Sequence, residues 1–274
     1  MTLDSHQHFW KFDPVRDAWI DSSMKAIQRD FMPDDLKPEL EKNGIDGCIA
    51  VQADQSENET QFLLDLAKEN PWIKKVVGWV ELKADDVESK LEQYQAEKKM
   101  AGFRVILQAL EPEAMEDKGF LQGIGLLEKF GFTYDILIYP RHLEAAFKLV
   151  KKFPNQPFVI DHLAKPDIKN GEFEFWSKGI SKLAKLPNVC CKVSGMVTEA
   201  NWYHWKPSDF TRYLDFITEN FGTNRLLYGS DWPVCLLAGT YGQVYDLATD
   251  YYNDFSSTEK AAIFGKNTAG FYGV

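Results

Sequence analysis

A closed (β/α)8 barrel, distorted in detail and forming one domain over residues 1–274, is the fold this sequence predicts, on three observations. Short β-branched or apolar runs alternate with amphipathic, charged stretches, which is the pattern of repeated βα units. Eight such runs occur, and an open doubly wound sheet of that size would leave a second domain's worth of chain elsewhere, which is not visible. The length of 274 residues also matches the roughly 250 that a single barrel commonly uses.

The predicted strands are roughly Leu3–His8, Gly47–Ala53, Val76–Leu82, Gly102–Leu107, Thr133–Tyr139, Phe158–Leu163, Val189–Gly195 and Arg225–Asp231. Between the second and third, Ser56 and Glu59 form an S-x-x-E capping box, and the apolar stripe Phe62, Leu63 and Leu66 behind it ends near Asn70-Pro71. After the fifth, Leu143, Ala146, Phe147 and Val150 recur at i, i+3, i+4 and i+7, a face suited to packing on the outside of the barrel. Two connections are long. Lys11 to Phe31 holds Trp19, and Met196 to Ser208 holds Trp202, Tyr203, His204 and Trp205. Both follow strands, the first and the seventh, so both belong at the carboxyl-end mouth where barrel enzymes bind substrates.

Composition excludes several classes. A net charge of −10 argues against a nucleic-acid partner, which needs clustered Lys and Arg. No stretch approaches the ~20 apolar residues that cross a membrane, and the first residues lack a basic and apolar leader, so the expected location is the cytoplasm. Cys48, Cys190, Cys191 and Cys235 lack C-x-x-C spacing and read as buried free thiols. There is no G-x-S-x-G, no G-x-G-x-x-G and no P-loop. A monomer and a homo-oligomer are both compatible with this composition.

The chemistry-bearing residues sit at strand ends. His6 and His8 lie two apart, so strand alternation sends both imidazoles to one face, with Asp4 expected beside them. Asp231 ends a run in which Leu227, Gly229 and Asp231 share a face, the small Gly229 leaving room beneath a carboxylate at the mouth. A closed barrel places its first and last strands side by side, so His6, His8 and Asp231 can converge on one metal ion or one activated water. His162, at the end of the sixth strand, can polarise a carbonyl, with Lys165 adding charge. Arg104 is a guanidinium inside an apolar strand, costly unless paired or used for binding, and Gln52 and Gln108 are polar strand-end groups of the same kind. Lys192 reads equally as the partner of a neighbouring carboxylate. His142, opening a helix after Pro140, reads as a surface residue. Trp202 and His204 read as lid residues, and Trp232 adds a further aromatic next to Asp231.

These stretches together resemble the amidohydrolase superfamily, and within it the sugar-acid lactonase branch, the L-fuconolactonase and L-rhamnonolactonase group. The matching segments are Asp4–Trp10, Gln52 with Glu59-Thr60 beyond it, Gly102-Phe103-Arg104, Asp161-His162-Leu163-Ala164-Lys165-Pro166, Lys192-Val193-Ser194-Gly195, Gly229–Pro233 and the closing Ile263–Ala269. H-x-H is common to the superfamily, whereas D-H-L-x-K-P with G-S-D-W-P is far more specific to the branch. The resemblance implies a distorted barrel that hydrolyses a lactone, with His6 and His8 as the strand 1 pair, His162 as the strand 6 histidine and Asp231 as the strand 8 base. Metal-dependent relatives usually place a Lys or His ligand in strand 4 or 5. Here strand 4 offers Arg104 and strand 5 reads Thr133-Tyr134-Asp135-Ile136-Leu137-Ile138-Tyr139. The expected load is therefore one divalent ion, zinc first, held by His6, His8 and Asp231, or none.

The expected reaction is hydrolysis of an aldonolactone, a small sugar lactone. Asp231 deprotonates a water, His162 and nearby cations stabilise the oxyanion, and Arg104, Gln52, Lys165, Trp202, His204 and Trp232 hold the sugar. Two rivals stand beside it. One is a metal-dependent decarboxylase, whose substrate carboxylates Arg104, Arg141 and Lys165 could hold. The other is a non-catalytic sugar-binding barrel, which has no need of His6, His8, His162 and Asp231 together.

Overall fold

The computed structural model describes residues 1–274. Eight parallel strands follow one another round the sheet in chain order: β1 (Leu3–Gln7), β2 (Gly47–Val51), β3 (Ile73–Gly78), β4 (Met100–Val105), β5 (Thr133–Ile136), β6 (Phe158–Ile160), β7 (Val189–Val193) and β8 (Leu226–Tyr228). The ring closes just beyond β8. Gln7 bridges Trp232 in parallel, His8 N–H donates to the Trp232 carbonyl at 2.7 Å, and Asp231 N–H donates to the His6 carbonyl at 2.8 Å. That seam sets residue 231 beside residues 6 and 8 although the whole chain separates them.

The strands are shorter than expected at their carboxyl ends. β3 starts at Ile73 and stops at Gly78, because Trp79 N–H leaves the ladder for Thr60 Oγ1 at 2.8 Å. β6 stops at Ile160 because His162, Leu163, Ala164 and Lys165 turn left-handed, with φ of 52°, 55°, 59° and 50°. Asp231, beyond β8, is left-handed too, at φ 58°. None of these five is a glycine, and each costs of order 1–3 kcal/mol in backbone strain.

Helices α1 (Pro33–Lys42), α2 (Glu57–Glu69), α3 (Val87–Gln95), α4 (Lys118–Phe130), α5 (Leu143–Lys152), α6 (Glu174–Ala184), α7 (Pro207–Phe221) and α8 (Tyr241–Tyr251) surround the sheet. The chain closes with α9 (Ser257–Ala261) and α10 (Asn267–Tyr272), joined by one wide helical turn. The Ser56 hydroxyl caps α2 through Glu59 N–H at 3.2 Å. The reciprocal half of the box is replaced, since the Glu59 carboxylate accepts from Ala53 N–H at 2.6 Å and Asp54 N–H at 3.1 Å and so ties down the exit of β2. α5 buries Leu143, Ala146 and Val150 in the large apolar core, with Phe147 half-buried.

Side-chain alternation divides the barrel into an outer core and an inner one. Outward residues such as Ala50, Val76, Phe103, Ile136, Ile160 and Tyr228 join the large helix-facing core. Inward, Ile49, Val51, Val77, Val159 and Leu227 form a small apolar floor, plugged by Tyr272 from α10. Above that floor lies a buried charged layer of His6, Arg104, Asp135, Asp161 and Lys192.

Two expectations are corrected. Asp4 does not share a face with His6 and His8: β1 is irregular between Asp4 and Gln7, and the Asp4 carboxylate accepts from His6 N–H, Ser230 N–H and the Tyr241 hydroxyl of α8. It braces the seam. His142 is fully buried, because its ring satisfies the backbone at the turn after β5, with Nε2 2.9 Å from the Leu110 carbonyl. All four cysteines are free, three buried and Cys190 partly so. No helix is long and apolar enough to cross a membrane.

Candidate active site

His6 and His8 meet with their Nε2 atoms 3.1 Å apart. His8 Nδ1 lies 2.8 Å from the Val51 carbonyl, which can only accept, so the proton sits on Nδ1 and Nε2 presents a lone pair. A single Asp231 oxygen, Oδ1, faces His8 Nε2 at 3.4 Å, His162 Nε2 at 3.7 Å and His6 Nε2 at 3.9 Å. Three imidazoles therefore converge on one carboxylate oxygen.

Glycines make this approach sterically possible. A Cβ on Gly229 would lie 2.8 Å from His6 Cβ, so the residue beneath Asp231 must be small, as alternation predicts. Gly195 is left-handed at φ 62°, and a Cβ there would meet the His162 ring at 2.5 Å. The left-handed turn after β6 drops His162 into that gap, where Nδ1 meets the Ser194 hydroxyl at 2.8 Å. That leaves His162 Nε2 facing Asp231 Oδ1, which can only accept, at 3.7 Å.

Burial keeps these groups neutral or poised. His162 is pushed down to about 4, chiefly by desolvation, and is an uncharged imidazole at neutral pH. His6 falls well below its usual range through burial and then the Lys192 charge, with Asp161 opposing. Burial alone would raise Asp231, but the surrounding histidines and Lys165 outweigh it and hold the carboxyl below the ordinary range. Asp231 is ionised at neutral pH.

Behind the histidines, Arg104 donates from one terminal nitrogen to Asp161 Oδ2 at 2.9 Å and from the other to the Gln52 carbonyl and to Gln52 Oε1 at 3.2 Å. Gln52 is fully buried and clamps Arg104, its Nε2 returning to the Arg104 carbonyl at 3.1 Å. Lys192 Nζ contacts Asp135 Oδ2 at 2.5 Å, Asp161 Oδ1 at 3.0 Å and His6 Nδ1 at 3.0 Å. Of the two readings of Lys192, the geometry supplies the carboxylate partners. Asp161 is held well below the carboxylate range because Lys192, His6 and Arg104 override the burial that would raise it.

Above the histidines opens a cavity of about 330 Å³. Its polar lining includes His8, Arg104, His162, Lys165 and Asp231, and its walls include Trp10, Trp19, Ile106 and Leu137. Lys165 is steadied by Glu199 at 3.5 Å, a carboxyl raised by burial in the loop after β7. Trp202, His204 and Trp232 do not reach this cavity. Trp202 is half-buried with its indole N–H on the Thr198 carbonyl, His204 is exposed, and Trp232 is buried edge-on against Phe9 and Phe31. Sequence reasoning gives no role to Asp161, which it holds only as the first residue of D-H-L-x-K-P, or to Trp10, which stands two residues beyond His8 on the same alternation.

Can these donors hold a metal? His6 Nε2, His8 Nε2 and an Asp231 oxygen all lie within 4.8 Å of one another. Tetrahedral zinc with bonds of about 2.0–2.1 Å sets its nitrogens roughly 3.3 Å apart, close to the separation of the two Nε2 atoms. The lone pair fixed on His8 Nε2 points into this space, so the donor set fits one divalent ion.

A parallel barrel with an H-x-H pair on its first strand, a histidine after the sixth and an aspartate after the eighth defines a class of barrel hydrolases. The chain belongs to the amidohydrolase family, whose model matches residues 3–274. It is 35% identical to an L-fucono-1,5-lactonase of Burkholderia ambifaria over 99% of this chain and 95% of that protein. An L-fucono-1,5-lactonase of Burkholderia multivorans is 34% identical over 100% and 96%. A crystal structure of an amidohydrolase from Burkholderia multivorans with bound zinc superposes with a TM-score of 0.96 at 34% identity, covering 100% of this chain and 99% of that one.

Proposed function

We propose that this protein opens an aldonolactone of the L-fucono- or L-rhamnono- type to its sugar acid, as a cytoplasmic enzyme of carbohydrate metabolism. The observation that carries the reading is the convergence of His6, His8 and His162 on Asp231 at the floor of a cavity sized for one sugar ring. Full-length likeness to two L-fucono-1,5-lactonases supports the substrate class.

His6, His8 and Asp231 would hold one divalent ion, with zinc the best match to two imidazoles and a carboxylate. Such an ion lowers the pKa of a water and polarises a carbonyl. Asp231, ionised and facing the cavity, accepts the proton of the attacking water. His162 Nε2–H and the Lys165 ammonium stabilise the oxyanion that develops on the lactone carbonyl. When the tetrahedral species collapses, the carbonyl–ring oxygen bond breaks and Asp231 returns its proton to the departing alkoxide. Trp10 and Trp19 offer faces to the C–H side of the sugar. Arg104, spent on Asp161 and Gln52, holds the site's shape more than the substrate.

The test is a pH-indicator screen of aldonolactones with and without chelator, alongside elemental analysis of the purified protein. Acid release from a six-carbon lactone and no more than one zinc per chain are expected. Release of carbon dioxide from aromatic acids without lactone opening would overturn the reading, and two tightly held ions would overturn the single-ion site.

A further inference from the structure

Of the Lys and Arg side chains, Arg104 and Lys165 line the cavity, and only one of them is free to act there. Arg104 is spent on Asp161 and Gln52, so the positive charge available to a developing oxyanion is the Lys165 ammonium. The backbone of Lys165 is fixed by the left-handed turn after β6, with its N–H on the His162 carbonyl at 2.7 Å. That turn does not fix its four-carbon stem, and a flexible ammonium near an ionised Asp231 is drawn toward it. An ion pair of that kind would quench base and cation together.

Lys165 is instead pulled toward the loop after β7. Its Nζ lies 3.5 Å from Glu199 Oε1 and pairs with no other carboxylate. On another side it stands 5.6 Å from the centroid of the Tyr139 ring, within cation–π reach. The two side chains of the ion pair are only 17% and 20% exposed, so salt and water screen it less than a surface pair. Glu199 is itself firmly held. Its N–H donates to the Met196 carbonyl at 3.1 Å, and its carbonyl accepts from Lys169 N–H at 2.9 Å, which ties the β7 loop to the β6 loop through backbone alone. A change confined to the carboxylate leaves that tie intact.

We propose that Glu199 is a positioning residue for the lactone reaction: it holds the Lys165 ammonium away from Asp231, so that Asp231 stays free to take the proton of the attacking water and Lys165 stays free to meet the oxyanion. The proposal rests on the lactonase reading. Glu199 stands behind Lys165, outside the cavity lining, and acts only through it.

Steady-state lactone hydrolysis by the full-length protein, in a double-mutant cycle of Glu199→Gln and Lys165→Met, tests it. Glu199→Gln keeps the size of the side chain and loses its charge. The value of kcat should then fall about tenfold or more, since a misplacement of roughly 1 Å can cost about 10²-fold. KM should stay within about twofold, because the interaction lost is made in the transition state and not with bound substrate. In the Lys165→Met background no ammonium remains to be held, so the same substitution should change kcat by less than about twofold, the ordinary scatter of such cycles. A residue that merely holds the fold would cost as much in both backgrounds. Glu199→Asp, which keeps the charge on a shorter arm, should lie between wild type and Glu199→Gln, and it decides the matter if Lys165→Met does not fold. Wild-type kcat in Glu199→Gln, an equal loss in both backgrounds, or a Glu199→Asp no faster than Glu199→Gln overturns the proposal and leaves the lactonase reading standing. A wild-type protein that opens no lactone in the same assay removes the lactonase reading, and with it the oxyanion that the proposal serves.

Discussion

Asp231 is the base of the proposed reaction, and its oxygen is within 3.4–3.9 Å of three imidazole nitrogens. Asp231→Asn keeps that shape and removes the proton acceptor, so kcat should fall by roughly 10²–10⁴ with the melting temperature little changed. Retention of more than about a tenth of the wild-type rate, well above that range, would show that another group is the base. Gly195 makes a complementary case. Its positive φ and the His162 ring 2.5 Å from any Cβ mean that Gly195→Ala must strain the backbone and push the imidazole away. A loss of about 1–3 kcal/mol in denaturant unfolding is expected, accompanied by reduced turnover. Unchanged stability and unchanged kcat would contradict the placement of His162.

At the scale of elements, two long loops divide the work unequally. The connection after β1 brings Trp19, 44% exposed, over the cavity and sets it edge-on to Trp10 at 6.0 Å. The loop after β7 spends Trp202 and Trp205 on the Thr198 and Ala238 carbonyls and reaches the site through Glu199. Trp19→Ala should therefore change relative kcat/KM among epimeric lactones, whereas His204→Ala should leave the ranking as it is. A panel of epimers assayed in parallel decides it, and the reverse pattern would return the lid role to the β7 loop.

On the scale of the whole molecule, stability is tied to charges sealed inside the barrel. Breaking one partner of such a cluster commonly costs 3–5 kcal/mol, since the other is left buried and uncompensated. Asp135 and Asp161 pull the pH dependence in opposite directions. Burial raises Asp135 to about 6 despite Lys192 and Tyr272, so between about pH 4 and 6 the folded state holds a proton that the unfolded chain releases. Its contribution therefore weakens as pH rises through that window. Asp161, held low, contributes stability above the unfolded carboxylate range that is lost as pH falls below about 4. Melting curves from pH 4 to 7 should show wild type losing stability relative to Asp135→Asn as pH rises. A constant difference between the two across that range would show that Asp135 does not take up the proton.

Much of this was legible from residue order alone. Periodicity marks eight strands and the helix faces because alternation of 2 and of 3.6 is written locally, and H-x-H, D-H-L-x-K-P and G-S-D-W-P announce histidines and an aspartate at strand ends. Strand ends were misplaced where backbone conformation is set by distant neighbours, as at Trp79 with Thr60 and at the left-handed run from His162 to Lys165. Periodicity cannot say where an outgoing chain leaves its ladder. Three-dimensional packing alone sorted the site's members, placing Trp10 and Trp19 on the cavity, sending Trp202, His204 and Trp232 elsewhere and turning Asp4 outward to Tyr241. The same holds for the buried chain from Tyr272 through Asp135 and Lys192 to His6, whose members stand 137, 57 and 186 positions apart. Contacts of that span arise from closing the barrel, and no local pattern encodes them.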